Sequence, residues 1–182
     1  MARTSTTTLS PTRSQRLAGK PQADGAFRSL VLTMGAFKRV MEPYFAGFGI
    51  GGSQWGVLRT LYRASEDEGL RSLRLTDLSG RLVVKPPSVT EVVNRLERMG
   101  LIGRARVNGD HRAKHVQLTV AGRKLVRRVL EHHPHQIETV LGGLKVSERQ
   151  QLHHLLDRMR SHLEQLASQH EQTSEKRNGN GV

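Results

Sequence analysis

Leu75–Thr119 reads LTDLSGRLVVKPPSVTEVVNRLERMGLIGRARVNGDHRAKHVQLT, and the fold follows from how this stretch is punctuated. Thr76 is placed to cap a short helix over 76–83, on which Leu75, Leu78 and Leu82 share one side. A residue before proline is pushed out of the helical region, so 83–86 reads as a tight turn. Pro86 or Pro87 then opens a second helix, where the missing N–H costs nothing. Val89, Val92, Val93 and Leu96 fall at i, i+3, i+4 and i+7 and make one apolar stripe. The opposite face carries Pro87, Ser88, Glu91, Asn94, Arg95 and Arg98, with Thr90 at its edge. Gly100 stands where a helix ends on a left-handed glycine.

Beyond Gly100 the hydrophobic period changes from helical to alternating. Residues 102–107 and 115–119 read as half-buried strands, and Asn108-Gly109-Asp110 between them is a turn signal. His111, Arg112 and Lys114 gather at the tip of that hairpin. Like charges repel at a tip, so its basic character is explained better by a phosphate or minor-groove partner than by folding. Two short helices, a tight turn and a basic hairpin together form a winged helix-turn-helix. The expected class is mainly α with a small β-hairpin wing, and the expected partner is double-stranded DNA.

The charge supports that partner. The 182 residues carry a net charge of +13. Residues 71–128 contain fourteen basic side chains against four acidic ones, a concentration that points to a polyanion. RNA recognition lacks a stacking platform, since aromatics are 4% of the chain and none falls in 75–119. Membranes are disfavoured by the absence of a long apolar run. With no cysteine, neither disulfides nor thiol oxidation can carry a signal. A Thr/Ser-rich start without an apolar segment leads to the cytoplasm as the expected location. The chain shows no phosphate-cradling loop, nucleophile elbow or metalloprotease helix, so no enzymatic activity is expected.

The flanks read as helices. Residues 1–24 form a basic extension expected to be disordered. Phe27, Leu30, Val31, Met34, Phe37 and Met41 mark an amphipathic helix within 25–52, which Pro43 is placed to bend. Ser53 is expected to cap the next helix, on which Trp55, Leu58, Leu61 and Tyr62 face the core, and 53–119 is the DNA-binding domain. A helix after Thr119 should be kinked or interrupted at Pro134. Ser147 and Gln150 resemble a capping box. Leu152, Leu155, Leu156, Met159, Leu163 and Leu166 then form a stripe longer than a small domain needs for itself. A second copy of the chain would bury it, so 120–168 is assigned to dimerisation and 169–182 to a disordered polar tail. A two-fold dimer suits a pseudo-palindromic operator.

Leu96-Glu97-Arg98-Met99-Gly100-Leu101-Ile102, Arg104, Asp110-x-Arg112, Val116-x-Leu118-Thr119-x-x-Gly122 and the upstream Gln54-Trp55-x-Val57-Leu58 resemble the multiple-antibiotic-resistance regulator (MarR) family of bacterial transcription factors. The likeness extends over about 27–166. It implies a homodimer whose first and last helices interlock, with recognition-helix positions at Pro87, Ser88, Thr90, Glu91, Asn94 and Arg95. It implies a wing arginine at Arg112, with Asp110 orienting it. Lys85, Arg98 and Lys114 complete the expected DNA-contacting set. Glu91 departs from a phosphate-facing role: it either accepts from cytosine N4 or pairs with Arg95 one turn on, and the pairing is expected. The resemblance also implies a repressor released by a small lipophilic or phenolic effector, with Phe37, Met41, Trp55 and Tyr62 as the residues to line its pocket. No cofactor or metal is expected. Two alternatives stay open: a sequence-tolerant architectural DNA-binding protein, and a metal-responsive regulator using His132, His133, His135, His153 and His154.

Overall fold

The computed structural model describes residues 20–82, 86–105 and 115–179, with side chains over 22–82, 87–105 and 115–169. Seven of the sequence's expectations at 83–85 and 106–114, namely the turn, the hairpin tip, Lys85, Asp110, His111, Arg112 and Lys114, lie outside the described residues. The chain forms two compact units, Met1–Glu131 and His132–Val182.

In the first unit, α1 (Lys20–Ala46) is followed by α2 (Gly52–Asp67), β1 (Leu73–Arg74), α3 (Leu75–Leu82), α4 (Pro86–Arg98), β2 (Ile102–Ala105), β3 (His115–Leu118) and the start of α5 (Val120–Leu141). The second unit holds the end of α5 and α6 (Val146–Gly179). The three strands form an antiparallel sheet in the order β1-β3-β2, with Leu73 opposite Val116 and Ile102 opposite Leu118. β1 therefore lies beside β3, on the side away from β2. Helices α2, α3 and α4 pack on one another. Their shared core is Val57, Leu58, Leu61, Leu78, Val89, Val93 and Leu96, all buried. The stripe read from sequence on α4 is thus the face that α2 and α3 cover.

Several helix ends differ from the sequence reading, each for a local reason. α1 begins at Lys20, inside the extension expected to be disordered; a proline in a first turn breaks no hydrogen bond, so Pro21 does not delay it. Pro43 lies inside α1. α2 is not capped by Ser53: the Gln54 side chain reaches back, its Oε1 accepting from the Gly51 N–H at 2.8 Å, and this satisfies an amide that opens the helix. Thr76 lies within α3 rather than before it, its hydroxyl directed at Asp77 Oδ1 at 3.4 Å, because the helix starts straight from β1. At α6 the residues that fill the capping role are Lys145 and Glu148, not Ser147 and Gln150: the Lys145 N–H donates to Glu148 Oε2 at 2.7 Å. α5 runs through Pro134 without interruption; the helical turns on both sides outweigh one lost amide donor. α6 continues to Gly179 through the segment expected to be a disordered tail, since 169–178 holds no proline or glycine to stop it.

Candidate nucleic-acid interface

The helix read as the DNA reader is held at its C-terminal end. Its C-terminus closes as a Schellman turn: Gly100 takes φ 70°, its N–H donates to Glu97 O at 2.9 Å and the Leu101 N–H donates to Leu96 O at 3.0 Å. From the far side, Gln54, itself buried, donates from Nε2 to Met99 Sδ at 3.1 Å. One glutamine therefore both opens α2 and grips the end of α4.

The base of the wing is locked to the same point. Thr119 accepts from the Gly122 N–H through Oγ1 at 3.0 Å, as the cap of α5, and the same hydroxyl donates to Gly100 O at 2.7 Å. Its backbone N–H donates to Leu101 O at 3.1 Å. Gly122 is buried so closely that a Cβ there would overlap the Leu101 carbonyl oxygen. The Thr-x-x-Gly spacing thus has a physical meaning: helix α5 crosses the chain between α4 and β2 at backbone contact.

With its apolar side fixed, α4 leaves the opposite face to solvent. Pro87, Ser88, Glu91, Asn94, Arg95 and Arg98 are all exposed and Thr90 is half-buried, which is the arrangement read from the sequence. The expected Glu91–Arg95 pair is corrected: among the described residues these two side chains do not bond to each other. Asn94 is instead engaged by Arg104, which the sequence reading quoted as a family residue but gave no site role. Arg104 Nη2 donates to Asn94 Oδ1 at 2.9 Å, and its Nε donates to both carboxylate oxygens of Glu97, at 3.2 and 3.1 Å. Arg104 sits two residues after the buried Ile102, so the strand period turns it to the same face. That period was the available signal.

Part of the local positive charge is internal. Arg81 forms a two-point pair with Glu68, Nη2 to Oε2 at 2.7 Å, and Arg123 bonds Glu66 Oε1 at 3.0 Å and Ser65 Oγ at 2.9 Å. The hydrogen bond from Arg81 holds the Glu68 carboxyl below the ordinary carboxylate range; it outweighs the opposing desolvation, and the charges of Arg81 and Arg63 add to it. With Arg104 on Glu97, three of the arginines counted toward a polyanion partner are neutralised by carboxylates. Arg95 and Arg98 on α4 have no carboxylate partner among the described residues.

The residues assigned to an effector pocket are not alike. Met41 and Trp55 belong to the core, the Trp55 ring stacking on Phe45 with centroids 5.7 Å apart. Tyr62 is half-buried with the Arg59 guanidinium 5.9 Å from its ring centre. Phe37 is exposed on α1. For the histidine alternative, no three His, Asp or Glu side chains gather into a metal-holding group among the described residues. No described helix is long and apolar enough to cross a membrane.

Comparison with known proteins agrees with this geometry. Residues 56–109 match the family model of the iron dependent repressor, N-terminal DNA binding domain, which takes in the helix-turn-helix and none of α5 or α6. The HTH-type transcriptional regulator PecS of Dickeya dadantii is 26% identical over 125 residues, 69% of this chain and 74% of PecS. Among solved structures, a mutant MarR from E. coli complexed with operator DNA superposes with a TM-score of 0.69 at 19% identity, covering 76% of this chain and 95% of MarR. The S. aureus MepR–DNA complex superposes with a TM-score of 0.64 at 28% identity, covering 78% of this chain and 97% of MepR. The chain is thus similar in sequence and fold to MarR-type winged-helix transcriptional regulators.

Proposed function

We propose that this protein is a dimeric, sequence-specific DNA-binding regulator in the cytoplasm, a repressor that a small-molecule ligand releases from its operator. The observation that carries the reading is α4. Its apolar stripe is sealed by α2 and α3, while Ser88, Glu91, Asn94, Arg95 and Arg98 remain on the outer face with Thr90 at its edge, a face suited to a major groove. MarR and MepR, its structural relatives, are seen with DNA. Arg112 and Lys114 are assigned the neighbouring minor groove or its phosphates on the resemblance alone, with Asp110 orienting Arg112.

Two exposed apolar stripes support the dimer. On α1, Phe27, Val31 and Met34 recur at helical spacing, with Phe27 67% exposed; on α6, Leu155, Met159, Leu163 and Leu166 do the same, with Leu163 52% exposed. Each such side chain gains about 1.5–3 kcal/mol on full burial, which a single copy forgoes.

Fluorescence anisotropy tests the reading, using DNA from upstream of the protein's own gene against scrambled DNA of equal length across a salt series. The expected result is a preference on the order of 10³-fold at one salt concentration. Equal binding to all sequences, including those recovered in a genome-wide binding map, would instead favour the architectural alternative. Arg112→Ala should weaken binding to any sequence, and an unchanged affinity would reject the wing contact. Sedimentation should give twice the chain mass.

A further inference from the structure

Arg104 does more than brace the wing, and the reason lies in what a guanidinium can offer. It has only donors, so the Asn94 atom 2.9 Å from Arg104 Nη2 has to be the carbonyl oxygen. The usual ambiguity in orienting an asparagine amide is removed by the chemistry of its partner. Arg104 cannot swing away easily, because its Nε and Nη2 are also held by the Glu97 carboxylate, at 3.1–3.2 Å. Asn94 therefore presents outward only its Nδ2 amino group, which has no partner among the described residues.

Resting on the DNA-binding reading above, we propose that Arg104 is a specificity-setting positioning residue: by holding the Asn94 oxygen, it turns Asn94 from an adenine reader into a reader of guanine that acts through its amino group. A free asparagine pairs with adenine at two points, giving a hydrogen bond to N7 and taking one from N6. Arg104 takes one of the two lone pairs of the Asn94 oxygen and holds that oxygen toward β2, which makes it a poor acceptor for N6. Guanine offers two adjacent acceptors, N7 and O6, on its major-groove edge, and these match an amino group. Glu97 enters the same device as the clamp that holds Arg104 in place. Arg104 itself, already opposed by a carboxylate, contributes little to phosphate binding.

The test is selection from a randomised duplex library with the full-length protein, followed by sequencing of the bound pool. Wild type is compared with Asn94→Ala, Asn94→Asp and Arg104→Met, each checked for folding by circular dichroism. In the wild-type motif, the position flattened by Asn94→Ala is expected to be guanine. In Arg104→Met that position should turn to adenine, a swing on the order of tenfold or more in relative preference. Asn94→Asp, which presents no donor, should lose guanine there without restoring adenine's two-point contact, and this outcome does not depend on altering Arg104. Loss of a merely structural bond would lower affinity for all sequences and leave the preferred base unchanged. Adenine at that position in wild type, no position altered by Asn94→Ala, or guanine retained in a folded Arg104→Met overturns the proposal. Failure of the wild type to enrich any motif would instead bring down the DNA-reading function itself, which is a separate outcome.

Discussion

Gly122→Ala should damage this protein far more than an alanine in a helix normally would. In an unobstructed helix the change is favourable by about 1 kcal/mol. Here the added Cβ would overlap the Leu101 carbonyl oxygen and sit 3.0 Å from its carbon and 3.2 Å from Leu118 Cδ2. The obstacle is backbone, and that backbone is tied down: Leu101 O accepts from the Thr119 N–H, and the Leu101 N–H closes the turn after α4. Relief requires α5 to move off the junction. That motion gives up the Thr119 cap on Gly122, worth about 1 kcal/mol, and strains or breaks a backbone hydrogen bond worth about 0.5–1.5 kcal/mol. Overpacking adds about 1–3 kcal/mol. After the propensity gain is subtracted, the net loss is roughly 2–4 kcal/mol, or about 5–15 °C in Tm for a chain of this size. The assay is thermal or urea unfolding at one fixed protein concentration, since a dimer's stability depends on it. Gly80→Ala is the control: it is helical, exposed and has nothing within 4 Å of its Cβ position, so it should be neutral or slightly stabilising. If Gly122→Ala unfolds within 1 kcal/mol of wild type, about the size of the propensity gain alone, the backbone contact does not hold the wing base and the reasoning fails.

Further expectations concern the same lobe. Ser79 is buried on α3 and its Oγ has no hydrogen-bond partner among the described residues, so Ser79→Ala should leave stability unchanged or raise it by about 1 kcal/mol; a comparable loss in urea unfolding would show a hidden partner. Arg95→Ala should reduce the slope of log affinity against log salt by about one if the guanidinium meets a phosphate; unchanged slope and unchanged affinity would remove Arg95 from the interface. Glu68 is held below its ordinary value by Arg81, so its contribution is complete above the unfolded glutamate value of about 4.3 and is lost as pH falls through the lower folded value. Arg81→Met should therefore flatten the fall in Tm across that acid range, and a curve parallel to wild type would refute the linkage.

What the amino-acid sequence determines by itself is everything governed by short-range periodicity. The Val89, Val93 and Leu96 stripe is one turn apart on one helix, so its burial and the exposure of Ser88, Asn94 and Arg95 follow from helical geometry alone. Gly100 as the left-handed stop was legible for the same reason, because it depends on neighbours in the chain. Helix caps were less legible, since Ser53, Thr76 and Ser147 are good cap residues in isolation and lost to competitors one to three positions away, such as Gln54 and Glu148. The tertiary structure alone decided which distant groups meet. Gln54 grips Met99, Gly122 touches Leu101, Glu66 and Glu68 neutralise Arg123 and Arg81, and Arg104 takes the carbonyl of Asn94. These contacts are set by where packed elements cross, and no local period records that distance. A residue's type and spacing thus place it on a face of the molecule, while its hydrogen-bonding identity at that face, as for Asn94, depends on the partner that packing delivers.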